Sequence, residues 1–190
     1  MNIITKDEFL IKKEYYFGLI EEGAIFIYPT DVKYVIGCDA RNKNTIKNIR
    51  KIKHLKKQPL PIIAPSIEWI NENCLTTEEI EDTLEELPGK LTFLLNTNEI
   101  SELAGNINLE DDSIAVRIPE HWISNFVKEM NFPIVATSAN ILGNDFMTDI
   151  DNLDPDIAGK VDFMIFEGNI KISKPTTYDF RSIDIKDINK

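Results

Sequence analysis

Residues 24–37 read AIFIYPTDVKYVIG, and this stretch sets the pattern for the whole fold. Its first five residues form a short apolar, β-favouring run that ends at Pro29, which predicts a buried strand opening into a loop. Thr30, Asp31 and Tyr34 follow the strand end, where polar groups can face a ligand. The same residue types are typical of an ordinary turn, in which Thr30 or Asp31 only caps the local backbone.

Short apolar runs alternate with helical patterns along the rest of the chain. Ile46, Ile49 and Ile52 recur at a three-residue spacing, which indicates a helix with a narrow apolar stripe. The predicted helices are 43–54, 76–87 and 121–130, and the further predicted strands are 60–64, 91–95, 114–118, 133–137 and 161–166. Because some connections have hairpin length and others are helical, the pattern predicts an α/β fold with a mixed sheet and flanking helices.

A length of 190 residues favours one domain over residues 1–190, and a composition of 43% hydrophobic and 28% charged residues is ordinary for a globular protein. The formal net charge of −11 repels polyanions and argues against tight nonspecific nucleic-acid binding. Cys38 and Cys74 are the only cysteines and lack metal-ligand spacing, and two cysteines cannot form a framework of several disulfides, so we expect a reducing compartment. No signal peptide pattern and no apolar run of about 20 residues occurs, so we expect a cytoplasmic protein without a membrane partner.

The segment Thr137-Ser-Ala-Asn140 follows the apolar run PIVA and presents a hydroxyl and an amide at a second strand end. Side chains of this type at the spacing of Ser138 and Asn140 suit the binding of a phosphate or a ribose. Serine and asparagine are equally common in capping loops. The segment alone therefore does not separate a ligand site from a cap.

Arg117 lies inside the apolar strand sequence IAVRIP. A buried guanidinium requires an anionic partner. That partner is either a structural carboxylate, with Asp111, Asp112 and Glu120 nearby in the sequence, or the carboxylate or phosphate of a ligand. The sequence leaves both alternatives open.

Positive charge is concentrated in one segment of this acidic chain, at Arg50, Lys51, Lys53, Lys56 and Lys57. Such a cluster would attract a triphosphate, although most charge runs are solvated helix faces. The sequence contains neither a Walker A motif nor a G-x-G-x-x-G motif, so any ATP must be bound by another scheme. His54 and His121 have no partner at metal-ligand spacing and are assigned no catalytic role.

Six segments of the chain resemble, in order, the successive motifs of the YrdC/TsaC family of L-threonylcarbamoyladenylate synthases. They are PTDVKYVIG, KHLKKQPLPII, LPGKLTFLL, IAVRIP, VATSAN and KPTTYDF. The resemblance spans about residues 24–180. It implies a twisted single-domain α/β fold with a concave, positively lined cavity for ATP, L-threonine and bicarbonate or CO₂. It also implies Mg²⁺, release of pyrophosphate, and hand-over of the product to a tRNA threonylcarbamoyl transferase.

Site residues follow from the resemblance position by position. Lys53 and Arg117 would be the catalytic residues, with Lys53 on the ATP phosphates and Arg117 on the threonine carboxylate. The other expected ATP contacts are Ser113, Ser138 and Asn140. The other expected L-threonine contacts are Thr30, Tyr34, Ala136 and Thr176.

The chain also departs from the motifs that it resembles. Val32 and Lys33 replace a threonine and a small apolar residue, and Leu55 stands where the resemblance implies an arginine that contacts phosphate. Lys56 would substitute only as a point charge without bidentate geometry, and Arg181 is the one candidate for a late arginine. The Leu55 departure favours a rival hypothesis, a nucleotide- or RNA-binding protein without turnover. A third hypothesis is another carbamoyl-adenylate enzyme, resembling the related domain of hydrogenase-maturation carbamoyltransferases.

Overall fold

The computed structural model of the chain describes residues 1–98 and 101–182, and Arg181 is among the last of them. The strands in these ranges are β1 (Asn2–Thr5), β2 (Phe26–Pro29), β3 (Tyr34–Gly37), β4 (Ile62–Ile63), β5 (Leu91–Asn96), β6 (Ser113–Arg117), β7 (Ile134–Val135), β8 (Thr137–Ser138), β9 (Phe163–Phe166) and β10 (Thr176–Asp179). The α-helices are α1 (Lys6–Ile11), α2 (Lys13–Glu21), α3 (Lys43–Ile52), α4 (Ile67–Asn73), α5 (Glu78–Leu84), α6 (Trp122–Met130) and α7 (Pro155–Ala158), and a 3₁₀ helix covers Ile150–Asn152.

The strands divide into two mixed sheets. One sheet has the order β1-β9-β2-β3-β8 and the other has the order β10-β5-β6-β4-β7. Each sheet contains parallel and antiparallel pairs, such as β2 with β9 and β2 with β3 in the first sheet. The predicted mixed α/β fold is confirmed, but its strands form two sheets rather than one. The chain crosses from the second sheet to the first at Ala136, between β7 and β8.

The run AIFIY is apolar throughout because it is buried on both faces of the first sheet. Phe26 and Tyr28 belong to one hydrophobic cluster, which also contains Phe9 and Phe126 from flanking helices. Ile27, between them, belongs to a second cluster that the two sheets share, as Phe93 of β5 also does. Each fully buried side chain of this size contributes about 1.5–3 kcal/mol to folding. This double burial fixes the position at which the chain leaves β2.

The two ends of helix α3 are fixed by local structure, and the second end positions Lys53. The Asn42 side chain accepts hydrogen bonds from the amides of Asn44 and Thr45 and thereby caps the start of α3. That helix ends at Ile52 with Lys53 as its C-cap, and the next residue, His54, has a φ of 56° that turns the chain away. The predicted helix 43–54 is therefore slightly too long, because His54 is in the left-handed region.

Gly37 is the last residue of the segment AIFIYPTDVKYVIG, and it lies where β3 passes close to β7. A Cβ at this position would come within 2.5 Å of Cε1 of Tyr28 and 2.7 Å of the Val135 carbonyl oxygen. The Tyr28 hydroxyl donates a hydrogen bond to that same carbonyl at 2.8 Å. Only glycine allows this approach, which holds β3 against the crossing point between the sheets.

Candidate functional site

The β2–β3 connection is a tight turn held by Thr30. The Thr30 hydroxyl donates to the Lys33 carbonyl at 2.7 Å and accepts from the amides of Val32 and Lys33, each at 3.3 Å. Its backbone amide also donates to the Lys33 carbonyl, at 3.1 Å. Thr30 thus makes the local contacts of a capping residue. Its expected contact with a ligand stays a prediction.

Arg117 has a carboxylate partner in the fold, and that partner is Asp31. Nη2 of Arg117 lies 3.0 Å and 3.2 Å from the two carboxylate oxygens of Asp31, and Nε donates to the Leu91 carbonyl at 2.9 Å. The two charged side chains are only 8% and 3% exposed. Nη1 makes no hydrogen bond to any residue in the described part of the chain.

Lys53 is a buried lysine without a carboxylate partner among residues 1–98 and 101–182. The residue is 3% exposed. Its Nζ donates to the carbonyl oxygens of Ser138 and Asn140, the second at 2.6 Å. Burial, with a smaller contribution from the charge of Lys33, lowers the pKa of Lys53 to about 8. An ammonium held only by neutral carbonyls attracts an anion.

Lys33 brings to the same region a second ammonium that has no carboxylate partner in the described ranges. Its Nζ lies 3.9 Å from the centre of the Phe146 ring, and the side chain is half-buried. Burial and the nearby charge of Arg117 both lower the pKa of Lys33. The sequence showed Lys33 only as a departure from a motif. Its placement beside Arg117 and Lys53 depends on contacts between segments far apart in the chain.

Ser138 and Asn140 lie together beside Lys53. The Ser138 hydroxyl donates to Oδ1 of Asn140 at 2.6 Å, and Nδ2 of Asn140 donates to the Asn144 carbonyl at 2.7 Å. Asn140 is buried, whereas Ser138 is partly exposed. Their side chains therefore shape the loop that holds Lys53, and a direct contact with nucleotide stays a prediction for both.

The Tyr34 hydroxyl connects the segment at Glu167 and Gly168 to the site. Its hydroxyl donates to the Gly168 carbonyl at 2.7 Å and accepts from the Glu167 amide at 3.0 Å. Burial raises the pKa of Tyr34 to about 12, so the phenol is neutral near pH 7. The Ser173 amide donates to the Val32 carbonyl at 3.0 Å, which fixes the same segment over the turn.

Ala136 and Thr176 are the two remaining residues expected to contact L-threonine. The Ala136 amide donates to the Pro61 carbonyl at 2.7 Å, so it is already paired. Thr176 pairs in register with Leu91, whose carbonyl accepts the hydrogen bond from Arg117. The exposed Thr176 side chain makes no hydrogen bond to the described residues. Both contacts with L-threonine stay predictions.

Ser113 is not brought together with Arg117. It lies at the other end of β6, four residues away, which corresponds to about 13 Å along a strand. Its hydroxyl donates to the Asp111 carboxylate at 2.5 Å. It lines a separate cavity of about 170 Å³ with Thr97, Ala104, Ile107 and Asn108. The expected ATP contact of Ser113 stays a prediction that this arrangement does not support.

The basic segment does not form one surface. Arg50 is buried and donates to the carbonyls of Gln58, Asn106 and Ile107 at 2.8–3.0 Å, so it holds the loop after α3 in place. Leu55 is partly buried and packs against the core that the two sheets share. The remaining lysines of the segment are exposed, namely Lys51, Lys56 and Lys57. Only Lys53 among these cations reaches the Ser138 loop.

Neither histidine forms part of this cluster of cations. His121 caps α6 through Nδ1, which lies 3.4 Å from the Ile123 amide, and its Nε2 lies 3.2 Å from Oε2 of Glu167. Within the described ranges, no group of three histidine, cysteine, aspartate or glutamate residues is placed to hold a metal ion. No described helix is long and apolar enough to cross a membrane. The concave cavity and the cytoplasmic location stay predictions.

Fold and site together define an α/β protein with an anion-attracting cluster at a strand-end turn. A model of the Sua5, YciO and YrdC proteins, described as "Telomere recombination", matches residues 18–178. The chain therefore belongs to the Sua5/YciO/YrdC family. This confirms the resemblance seen in its motifs.

Individual relatives are similar over most of the chain. A protein of Methanocaldococcus jannaschii named "Putative threonylcarbamoyl-AMP synthase" is 32% identical over 174 residues, which are 90% of this chain and 77% of the relative. P. abyssi Sua5 in complex with L-threonine is 30% identical with a TM-score of 0.79, and the match covers 90% of this chain and 51% of Sua5. E. coli YciO, at 21% identity and a TM-score of 0.78 over 91% of this chain and 84% of YciO, shows the shared fold.

Proposed function

We propose that this protein is an L-threonylcarbamoyladenylate synthase, which makes threonylcarbamoyl-AMP and pyrophosphate from L-threonine, bicarbonate or CO₂, and ATP. The name of the M. jannaschii relative and the L-threonine bound to P. abyssi Sua5 support this proposal. The chain spans about half the length of that Sua5 protein, so the activity is proposed for this chain and not transferred from it.

The observation that carries the proposal is the buried Lys53 beside the Ser138–Asn140 loop. Two carbonyl oxygens hold its ammonium, and no carboxylate in the described part of the chain neutralises it. A charge in this setting costs folding free energy unless an anion binds. A nucleotide phosphate supplies that anion. Arg117, whose Nη1 makes no hydrogen bond to the described residues, would bind the carboxylate of the amino acid.

The proposed reaction begins when the threonine amine attacks CO₂, or bicarbonate with loss of water, and gives N-carboxy-threonine. Its new carboxylate attacks the α-phosphorus of ATP, the bond to the β-phosphate oxygen breaks, and pyrophosphate leaves. No covalent bond to the protein is required. Mg²⁺ would arrive with the ATP phosphates as part of the substrate, because this ion is usually bound through substrate phosphates rather than by an all-protein cage. The protein would contribute alignment and positive charge.

We expect pyrophosphate release only when ATP, L-threonine and bicarbonate are all present. A coupled pyrophosphate assay with each substrate omitted in turn tests this, and mass spectrometry of the product identifies threonylcarbamoyl-AMP. Equal pyrophosphate release without L-threonine would contradict the proposal. ATP binding without any turnover would instead support the binding-protein alternative, which the core-packed Leu55 favours. Turnover with carbamoyl phosphate in place of L-threonine would support the carbamoyltransferase-like alternative.

ATP binding should weaken as the pH rises through 8, because Lys53 has a pKa of about 8 and is charged only below that value. At pH 9 roughly one lysine in ten of this pKa is protonated, so affinity should be about tenfold lower than at pH 7. Calorimetric titration of ATP between pH 7 and pH 9 measures the change. In the variant Lys53→Met the dependence should be much flatter. A parent protein with no pH dependence over this range would contradict the assignment.

A further inference from the structure

Lys33 lies next to the loop that holds Lys53, although the two lysines are twenty positions apart in the sequence. The residue after Lys33 is Tyr34, and the Tyr34 carbonyl accepts a hydrogen bond from the Ala139 amide at 3.1 Å. The Lys53 ammonium bonds the carbonyls on either side of Ala139, those of Ser138 and Asn140. The backbone of Lys33 is therefore one residue away from the segment on which Lys53 is held.

Three cations from separate elements thus lie at the β2–β3 turn, and among the described residues they have one carboxylate partner. Asp31 is bound to Arg117. In the described ranges neither Lys33 nor Lys53 has a carboxylate oxygen within ion-pair distance. Like charges that are partly buried together destabilise one another, so the arrangement is explained most simply by an anion that binds between them.

We propose that Lys33 binds the phosphate chain of ATP together with Lys53, while Arg117 holds the amino-acid carboxylate. This inference rests on the proposed function and assigns a residue that the motif resemblance does not include. Other lysines near the site are poorer candidates, because Lys56 and Lys57 are exposed.

Phe146 provides the competing explanation for the position of Lys33. An ammonium 3.9 Å from an aromatic ring centre gains a cation–π interaction, and Lys33 would then be only a packing residue. The two explanations differ in what a neutral replacement does. Loss of a packing contact lowers thermal stability, whereas loss of a phosphate contact lowers affinity for phosphate-containing ligands.

The test compares Lys33→Gln, Lys33→Arg and the exposed-lysine control Lys56→Gln in the full chain. Titrations use Mg-ATP, inorganic tripolyphosphate, adenosine and L-threonine as separate probes. We expect Lys33→Gln to weaken ATP and tripolyphosphate binding at least tenfold and to leave adenosine and L-threonine within twofold. Lys33→Arg should remain within about threefold of the parent, and Lys56→Gln should not differ from it. Thermal melting establishes that each variant is folded.

Two results would overturn the inference. In one, the folded Lys33→Gln variant binds ATP and tripolyphosphate with the affinity of the parent. In the other, the variant loses affinity for L-threonine only. The proposed function fails in a different way. If the parent releases no pyrophosphate but its tripolyphosphate affinity still depends on Lys33, the anion site stands and the synthase assignment is wrong. If the parent releases pyrophosphate and folded Lys33→Gln binds ATP as well as the parent does, only the role of Lys33 is wrong.

Discussion

Replacement of Lys53 by methionine is expected to weaken ATP binding by roughly 10- to 150-fold. A charge-assisted contact to phosphate contributes about 1.5–3 kcal/mol, and each 1.4 kcal/mol is a factor of ten in affinity. Methionine has a similar length and fills the same buried volume without the charge. Calorimetric titration of Mg-ATP into the parent and the variant measures the change.

Stability distinguishes this functional role of Lys53 from a structural one. Methionine removes the cost of burying an ammonium but leaves the Ser138 and Asn140 carbonyls without their donor. Because these effects oppose each other, we expect the free energy of unfolding to stay within about 2 kcal/mol of the parent value. Lys51→Met, an exposed lysine in the same helix, is the matched control and should change neither quantity. Normal ATP affinity in a strongly destabilised Lys53→Met would assign Lys53 to the fold alone.

Local sequence patterns were enough to predict the strands that carry the site. AIFIY and PIVA are short, apolar and followed by polar residues, and both lie at strands that end at the site. Burial on both faces makes such strands uniformly apolar, so they can be predicted from the sequence without knowledge of the strands they pair with. The turn chemistry at Thr30 is equally local, because its hydroxyl bonds the backbone of Val32 and Lys33, two and three positions away.

Long-range pairing accounts for what the sequence did not predict. The predicted strand 133–137 is split at Ala136 because its two halves pair with different sheets. The carboxylate partner of Arg117 is Asp31, 86 positions away, rather than the acidic residues close to it in sequence. The early helices α1 and α2 were also missed, although the Thr5 and Glu8 capping box is a readable start signal.

Among the changes to the site, loss of one member of the Arg117–Asp31 ion pair should lower the stability of the protein most. Arg117→Met leaves the Asp31 carboxylate buried without a partner, and loss of one member of a buried ion pair costs about 3–5 kcal/mol. The double variant Asp31→Asn with Arg117→Met removes both charges and should recover a large part of that loss. Chemical denaturation of the parent, both single variants and the double variant measures the coupling directly. Additive effects would show that the two side chains do not stabilise each other.

Arg117→Lys separates the ligand role of this residue from its role in the ion pair, because lysine retains the charge but not the planar fork. The amine can still approach Asp31, so most of the stability should remain, whereas one donor group cannot serve Asp31, the Leu91 carbonyl and a threonine carboxylate together. We expect the dissociation constant for L-threonine to rise at least tenfold, while that for ATP changes less than threefold. Calorimetry with each ligand measures both constants. A folded Arg117→Lys protein that binds L-threonine normally would show that Nη1 of Arg117 does not hold the amino acid, and that the guanidinium serves the fold through its contacts with Asp31 and the Leu91 carbonyl.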